Sequence, residues 1–298
     1  MDEALIWIDG GLRPASEATV SILSHAVQRG STVFDVVRIC DTQDGPAAFG
    51  LREHVARFDR SMHLMGMTSA WSLDQLERAL AETVLANAGA TLVKVTAAWV
   101  STPVATLPDT TDPQVSIAAI NAPLLDPRTA PGVRAKVALA TKLPADVLPP
   151  GLKVAAAYTY GIRQKMAARA EGYDEIILRT QKGDLAESVS QSLFVVRDDL
   201  LLAPPLDIVL DGITRRMVLD VAHHLGYHSQ VRGIPWDEVA SADELFLSST
   251  TNPVQSLAEL DGRSLPAPGP LGSKLAAQAM ELLAGRHALS HRWLTPLT

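Results

Sequence analysis

Cysteine is almost absent from this chain: 298 residues carry one, Cys40. An internal disulfide framework is excluded, and the expected compartment is a reducing, cytoplasmic one. No apolar run is long enough to span a bilayer. The start, Met1-Asp2-Glu3-Ala4, shows neither the basic nor the apolar region of a secretion signal. Positive charge is in deficit, with 33 Asp+Glu against 26 Lys+Arg and a formal net charge of −7. That argues against nucleic acid or an anionic membrane as a partner. A Gly-x-Ser-x-Gly elbow and a phosphate loop ending in Lys-Ser or Lys-Thr are both missing. His223, His224 and His228 cluster, but Gly226 should end their helix between them. With no further Cys or acidic ligands at metal spacing, no metal is expected.

What is present is a well-mixed chain with 47% hydrophobic and 20% charged residues, enough for a full core in one large or two medium domains. Leu5–Ile8 followed by Asp9-Gly10-Gly11 predicts a hairpin, and Val33–Ile39 predicts a β-branched strand. Leu51, Val55, Phe58, Met62 and Met65 recur at spacings of four and three, which predicts a helix over 51–65. Ser72 with Gln75 is a capping box for a second helix, with Gly89 as its expected stop. Strands are expected over 92–99, 115–120, 133–140, 175–179, 193–197 and 244–248, and helices over 158–170, from Thr214 to Gly226, and over 273–283. Residues 121–131, rich in Pro, Asp, Arg and Thr, form the expected linker between a small domain (1–120) and a larger one (132–298). The mixed element order, without a regular βαβ period, points to an α+β fold.

Five stretches carry candidate chemistry. Lys153 stands alone among small apolar residues in Pro149-Pro150-Gly151-Leu152-Lys153-Val154-Ala155-Ala156-Ala157-Tyr158. Either its stem lies along the core with the ammonium in water, or the amine sits in a partly dry site. Desolvation lowers a lysine pKa, which suits a Schiff-base lysine. Asp211-Gly212-Ile213-Thr214 opens a helix whose start, with Thr214 as the expected N-cap, could be a plain cap or an anion site suited to phosphate. Arg57 lies at the edge of the apolar stripe of the 51–65 helix, where it could be solvated or could reach a phosphate. Glu187 stands between a turn and an apolar strand; if it points inward it needs a cationic or protonated partner. Ser248-Ser249-Thr250-Thr251-Asn252 follows a strand, either as a simple turn or as a further source of hydroxyls.

Together these stretches resemble the class IV (fold-type IV) pyridoxal-phosphate (PLP)-dependent aminotransferases, over nearly the whole chain and in the family's order. The motifs are Ser24-His25-Ala26 through Phe34-Asp35 and Arg38; Arg52 to Phe58; Gly151-Leu152-Lys153 with Tyr158; Gly172 to Glu175 with Glu187 to Phe194; Gly212 to Arg215; and Ala242 to Thr250. The resemblance implies a two-domain fold-type IV enzyme, with a small N-terminal domain and a larger barrel-like C-terminal domain that binds PLP. It implies that Lys153 forms the Schiff base and moves the proton, Glu187 pairs with the pyridine nitrogen, and Tyr158 meets the ring's phenolic oxygen. Arg57, the backbone of Ile213 and Thr214, and Thr250 would hold the phosphate. The implied reaction is ping-pong transamination between an amino donor, of apolar or branched-chain type, and a 2-oxo acid, in a cytoplasmic homodimer.

The departures concern the substrate pocket. Branched-chain enzymes carry a tyrosine where this chain has Arg29, and a Tyr-x-Arg pattern where it has Leu92 and Lys94. Phe34-Asp35-Val36-Val37 and Ser249-Thr250-Thr251 are reminiscent of D-amino-acid and (R)-amine transaminases. Those activities, a lyase of the aminodeoxychorismate type and a PLP-binding scaffold without catalysis are the alternatives. Arg29, Phe34, Arg38, Lys94, Trp99 and Thr251 are the candidate substrate contacts.

Overall fold

A computed structural model describes residues 4–123 and 125–297, so Leu124 of the expected linker, the first three residues and Thr298 lie outside the described residues. The chain divides into two compact units, one of Met1–Pro123, Gly151–Ala157 and His291–Thr298, the other of Leu124–Pro150 and Tyr158–Ser290. The lysine segment and the last residues thus cluster with the N-terminal unit, although the expected domain boundaries group both with the C-terminal half.

The first unit opens with a hairpin, β1 (Leu5–Ile8) and β2 (Gly11–Pro14), followed by a short helix, α1 (His25–Arg29). Next come β3 (Thr32–Thr42), β4 (Gly45–Phe49), α2 (Leu51–Met65), α3 (Leu73–Leu85), β5 (Leu92–Ala98) and β6 (Gln114–Ile120). The second unit holds β7 (Val133–Thr141), α4 (Thr159–Ala170), β8 (Glu175–Arg179), β9 (Ser192–Arg197), β10 (Leu200–Ala203), α5 (Ile213–His224) and β11 (Ser229–Val231). It continues through α6 (Trp236–Ala240), β12 (Glu244–Ser248), β13 (Gln255–Leu260), β14 (Arg263–Ser264) and α7 (Pro270–Leu283). The chain then returns to the first unit as β15 (Leu294–Pro296). The first sheet runs β15-β4-β3-β5-β6-β1-β2, and the second β11-β10-β9-β12-β13-β7-β8, with β14 beside β13.

In the first unit α2 has the span its periodicity predicts. Its apolar stripe, Val55, Phe58 and Met62, is fully buried, and it ends at Gly66, whose left-handed φ of 81° costs glycine little. The Ser72–Gln75 capping box forms as expected, but α3 stops at Leu85, before the glycine at 89. Alternation along β3 sends Phe34, Val36 and Arg38 to one face and Val33, Asp35 and Val37 to the other. Register with β5 sets Phe34 opposite Thr96, Val36 opposite Lys94, and Arg38 opposite Leu92.

In the second unit the central strands read as unbroken apolar runs because both faces are covered. Leu193, Val195, Leu245, Leu247 and Leu257 share one buried cluster with Ile177, while Phe194 and Phe246 stack with ring centroids 4.9 Å apart. α7 begins at Pro270, three residues before the expected start, because proline at a first helical position gives up no hydrogen bond. α5 is capped by Gly212 rather than Thr214, which falls inside the first turn. A Cβ at 212 would lie 2.7 Å from Ser192 Oγ and 3.1 Å from Arg215 Cβ, so close approach, not a left-handed turn, requires this glycine.

Candidate active site

Lys153 is held by its backbone on two sides within the first unit. Its N–H donates to Ser61 Oγ at 3.1 Å, and Ser61 Oγ donates to Gly151 O at 3.3 Å. Its carbonyl accepts from Phe34 N–H at 3.2 Å, and Val154 bridges Val33. Leu152 and Val154 are buried, so the segment is pinned while the Lys153 side chain is only half-buried. Its Nζ lies 4.6 Å from the centroid of the Phe34 ring. Lys94 Nζ lies 4.7 Å from the same ring, and its pKa is lowered by burial and, secondarily, by the Lys153 charge. Phe34 thus carries two ammonium groups, and an anion nearby would relieve their repulsion.

Arg57 is not the edge residue that the stripe suggests. It is 4% exposed and forks onto Asp35, with Nε to Oδ2 at 2.8 Å and Nη2 to Oδ1 at 2.7 Å. His54 Nδ1 meets the same carboxylate at 2.7 Å. Burial alone would raise the Asp35 pKa, but the Arg57 guanidinium and His54 outweigh it and hold the carboxyl well below the usual carboxylate range. The His54 pKa is pushed down, first by burial, so the ring is neutral and Nδ1 is the donor to Asp35. Asp35 and His54 were not singled out by the sequence. The signal was there: an acid on the helix-covered face of β3, two strand positions from Val33 and Val37, requires a cation across from it.

The remaining first-unit candidates scatter. Arg38 is buried beside Cys40, whose thiol is raised to about 11, mainly by burial. Trp99 is buried with its ring edge-on to His25 at 5.5 Å. Arg29 is exposed at the end of α1, donating to Gln28 O at 3.2 Å.

In the second unit Glu187 points at a cation supplied by the chain itself, Lys142. Leu210 N–H lies 3.3 Å from each of its carboxylate oxygens. Lys142 is a third residue that the sequence does not single out, since a lone lysine after a strand carries no motif. Tyr158 is half-buried at the start of α4. Thr214 is buried, and its Oγ1 has no hydrogen-bond partner among the described residues. The same holds for Ser248 Oγ and both polar side-chain atoms of Asn252, at the end of β12. Asn252 closes the turn, with Ser249 N–H donating to its carbonyl at 2.8 Å; Thr250 is half-buried and Thr251 exposed. Buried polar atoms left unpaired cost about 1–3 kcal/mol each. A phosphate at the N-terminus of α5 would satisfy the Thr214 hydroxyl together with the open first-turn N–H groups. These residues fit the cofactor that the motifs imply.

Residues 32–260 match the model of the amino-transferase class IV family, and the chain belongs to that family: it is a PLP-dependent aminotransferase. It is 28% identical over 298 residues to a branched-chain-amino-acid aminotransferase of Pseudomonas aeruginosa, covering 98% of this chain and 97% of that protein. Among solved structures it resembles the branched-chain aminotransferase of Thermoproteus uzoniensis with norvaline, at a TM-score of 0.93 and 30% identity over 99% of each chain. It also resembles the branched-chain amino acid aminotransferase of Thermobaculum terrenum in its PLP-bound holo form, at a TM-score of 0.93 and 26% identity, covering 100% of this chain and 99% of that one. Among the described residues no helix is long and apolar enough to cross a membrane.

Proposed function

We propose that this aminotransferase moves an amino group from an amino acid with an apolar, branched side chain to a 2-oxo acid. The observation that carries the reading is the pinned Lys153, with its ammonium over Phe34 beside the second cation of Lys94. The branched-chain enzymes named above support the donor class; the D-amino-acid, (R)-amine and lyase alternatives gain no comparable support.

Bound PLP supplies an electron sink and a carrier for the amino group. Lys153 Nζ would attach to it and, once released, take and return the proton at the substrate α-carbon. Glu187 would hold the ring nitrogen protonated, and Tyr158 would donate to the ring's phenolic oxygen. Thr214 Oγ1, the N–H groups of Ile213 and Thr214, Thr250 and Arg57 would hold the phosphate, with Asp35 fixing the Arg57 fork. The face of β3 and β5 that carries Phe34, Val36 and Lys94 offers an apolar floor with a cation for the substrate carboxylate, and Arg38 lies on that face. Arg29, Trp99 and Thr251 remain further proposed substrate contacts.

The same reading makes the enzyme a cytoplasmic homodimer. Ile22, Leu23 and Val27 around α1, Val104 and Leu107 in the β5–β6 loop, and Ile162 and Met166 on α4 are large apolar side chains left exposed on the single chain. Patches of this kind are covered in assemblies. Sedimentation should give twice the 31.8 kDa of one chain.

A donor panel with both enantiomers, against 2-oxoglutarate and pyruvate, tests the assignment. Leucine, isoleucine and valine should lead. Preferred turnover of simple amines, or pyruvate release with no acceptor present, would overturn it.

A further inference from the structure

Lys142, the residue after β7, faces Glu187. Its backbone N–H donates to Arg179 O at 2.8 Å, and Leu178 N–H donates to Glu187 O at 2.8 Å, so both residues are anchored to the same strand, β8. Their side chains meet in an ion pair that is 16% exposed at Lys142 and 12% at Glu187. Lys142 Nζ contacts Oε1, and the Leu210 N–H is shared by both oxygens. Oε2 therefore keeps acceptor capacity for one more donor.

We propose that Lys142 is a positioning residue that fixes Glu187 as an ionised, oriented acceptor, so that a proton between this carboxylate and the cofactor's ring nitrogen stays on the ring. This rests on Glu187 being the ring-nitrogen partner. A proton between a carboxylate and an aromatic nitrogen has two resting places. In a partly dry site the neutral arrangement, carboxylic acid beside unprotonated ring, competes because it buries no charge. An ammonium held against the carboxylate reverses that preference, since protonating Glu187 would leave Lys142 without its counter-charge. The other groups facing Glu187 act in the same direction or do not compete. Arg215 lies close enough to interact with it electrostatically and is fixed by donating Nη2 to Pro204 O at 2.9 Å. The Tyr160 phenol is pushed up to about 12, first by burial and then by Glu187, and remains a neutral donor. A lysine that merely braced the fold would be replaceable without effect on the ring; a lysine that sets the charge of Glu187 would not.

The experiment loads the enzyme with PLP labelled with nitrogen-15 in its ring and reads the shift of that nitrogen by NMR. It compares wild type, Lys142→Gln, Lys142→Arg and Glu187→Gln, with folding checked by circular dichroism. Wild type and Lys142→Arg should show a protonated ring nitrogen. Lys142→Gln should move the shift toward the unprotonated value and lower kcat tenfold or more, with KM for the oxo acid changed less than twofold. Should Lys142→Gln not fold, Lys142→Met keeps the stem and gives the same readout. If Glu187→Gln moves the shift but the Lys142 variants do not, the role of Lys142 is refuted and that of Glu187 stands. If Glu187→Gln itself leaves the nitrogen protonated, the reading of Glu187 falls, and the proposal with it.

Discussion

Replacing Asp35 by Asn is expected to cost more stability than any single surface change. Asp35 is fully buried and accepts two bonds from Arg57 and one from His54. An amide of the same shape offers one oxygen where the guanidinium fork needs two, and it leaves the Arg57 charge buried without a counter-charge. Breaking a buried pair from one side costs about 3–5 kcal/mol. At about 2–4 °C per kcal/mol for a chain of this size, the expected fall in Tm is roughly 6–20 °C. Scanning calorimetry with saturating PLP at neutral pH measures it. The double variant Asp35→Asn with Arg57→Met should be less destabilised than the two singles summed, by about 1 kcal/mol or more, because the stranded charge is then gone. The pair's contribution is complete above the unfolded carboxyl pKa of about 3.9 and is lost only as pH falls through the lowered folded value. A single-variant Tm within about 2 °C of wild type would refute the reasoning.

Three further outcomes follow from the same geometry. His54 is held neutral in the fold while the unfolded ring takes up a proton below about pH 6.5, so stability rises with pH, and its contribution steepens toward about 1.4 kcal/mol per pH unit under that value; urea melts from neutral to mildly acidic pH should show a shallower slope in His54→Gln, and equal slopes would contradict it. Gly212→Ala places a Cβ 2.7 Å from Ser192 Oγ at the start of α5 and should weaken PLP binding at least tenfold by equilibrium dialysis; unchanged affinity would show that this turn does not face the phosphate. Gly269→Ala drives a Cβ to within 2.2 Å of the buried Glu244 carboxyl, which accepts from Leu271 and Gly272 N–H at 2.7 and 2.8 Å, and Tm should drop by several degrees; a variant as stable as wild type would mean that Glu244 can move away freely.

The elements most legible in the sequence were those whose signal is local. α2 shows its full span because its stripe repeats over four turns, and the capping box at Ser72 needs only residues three apart. The starts of α5 and α7 are harder to read because distant residues meet them: Ser192 lies against Gly212, and Glu244 accepts from the first-turn N–H groups of α7 beside the local signal of Pro270. The same distinction runs through the candidate residues. Lys153 and Glu187 stand in recognisable runs of residues, whereas Lys142, Asp35 and His54 acquire their roles from partners 45, 22 and 19 positions away. No window of sequence holds both members of such a pair.

Lys153 is proposed to carry the cofactor, and chemical reduction of the loaded enzyme tests this directly. Purified enzyme should be yellow, and borohydride should bleach the visible band and fix the cofactor covalently to one peptide. Mass mapping should place the added mass on Lys153, and Lys153→Ala should lose both the covalent label and nearly all transamination. A label on another lysine, or normal turnover in Lys153→Ala, would contradict the account.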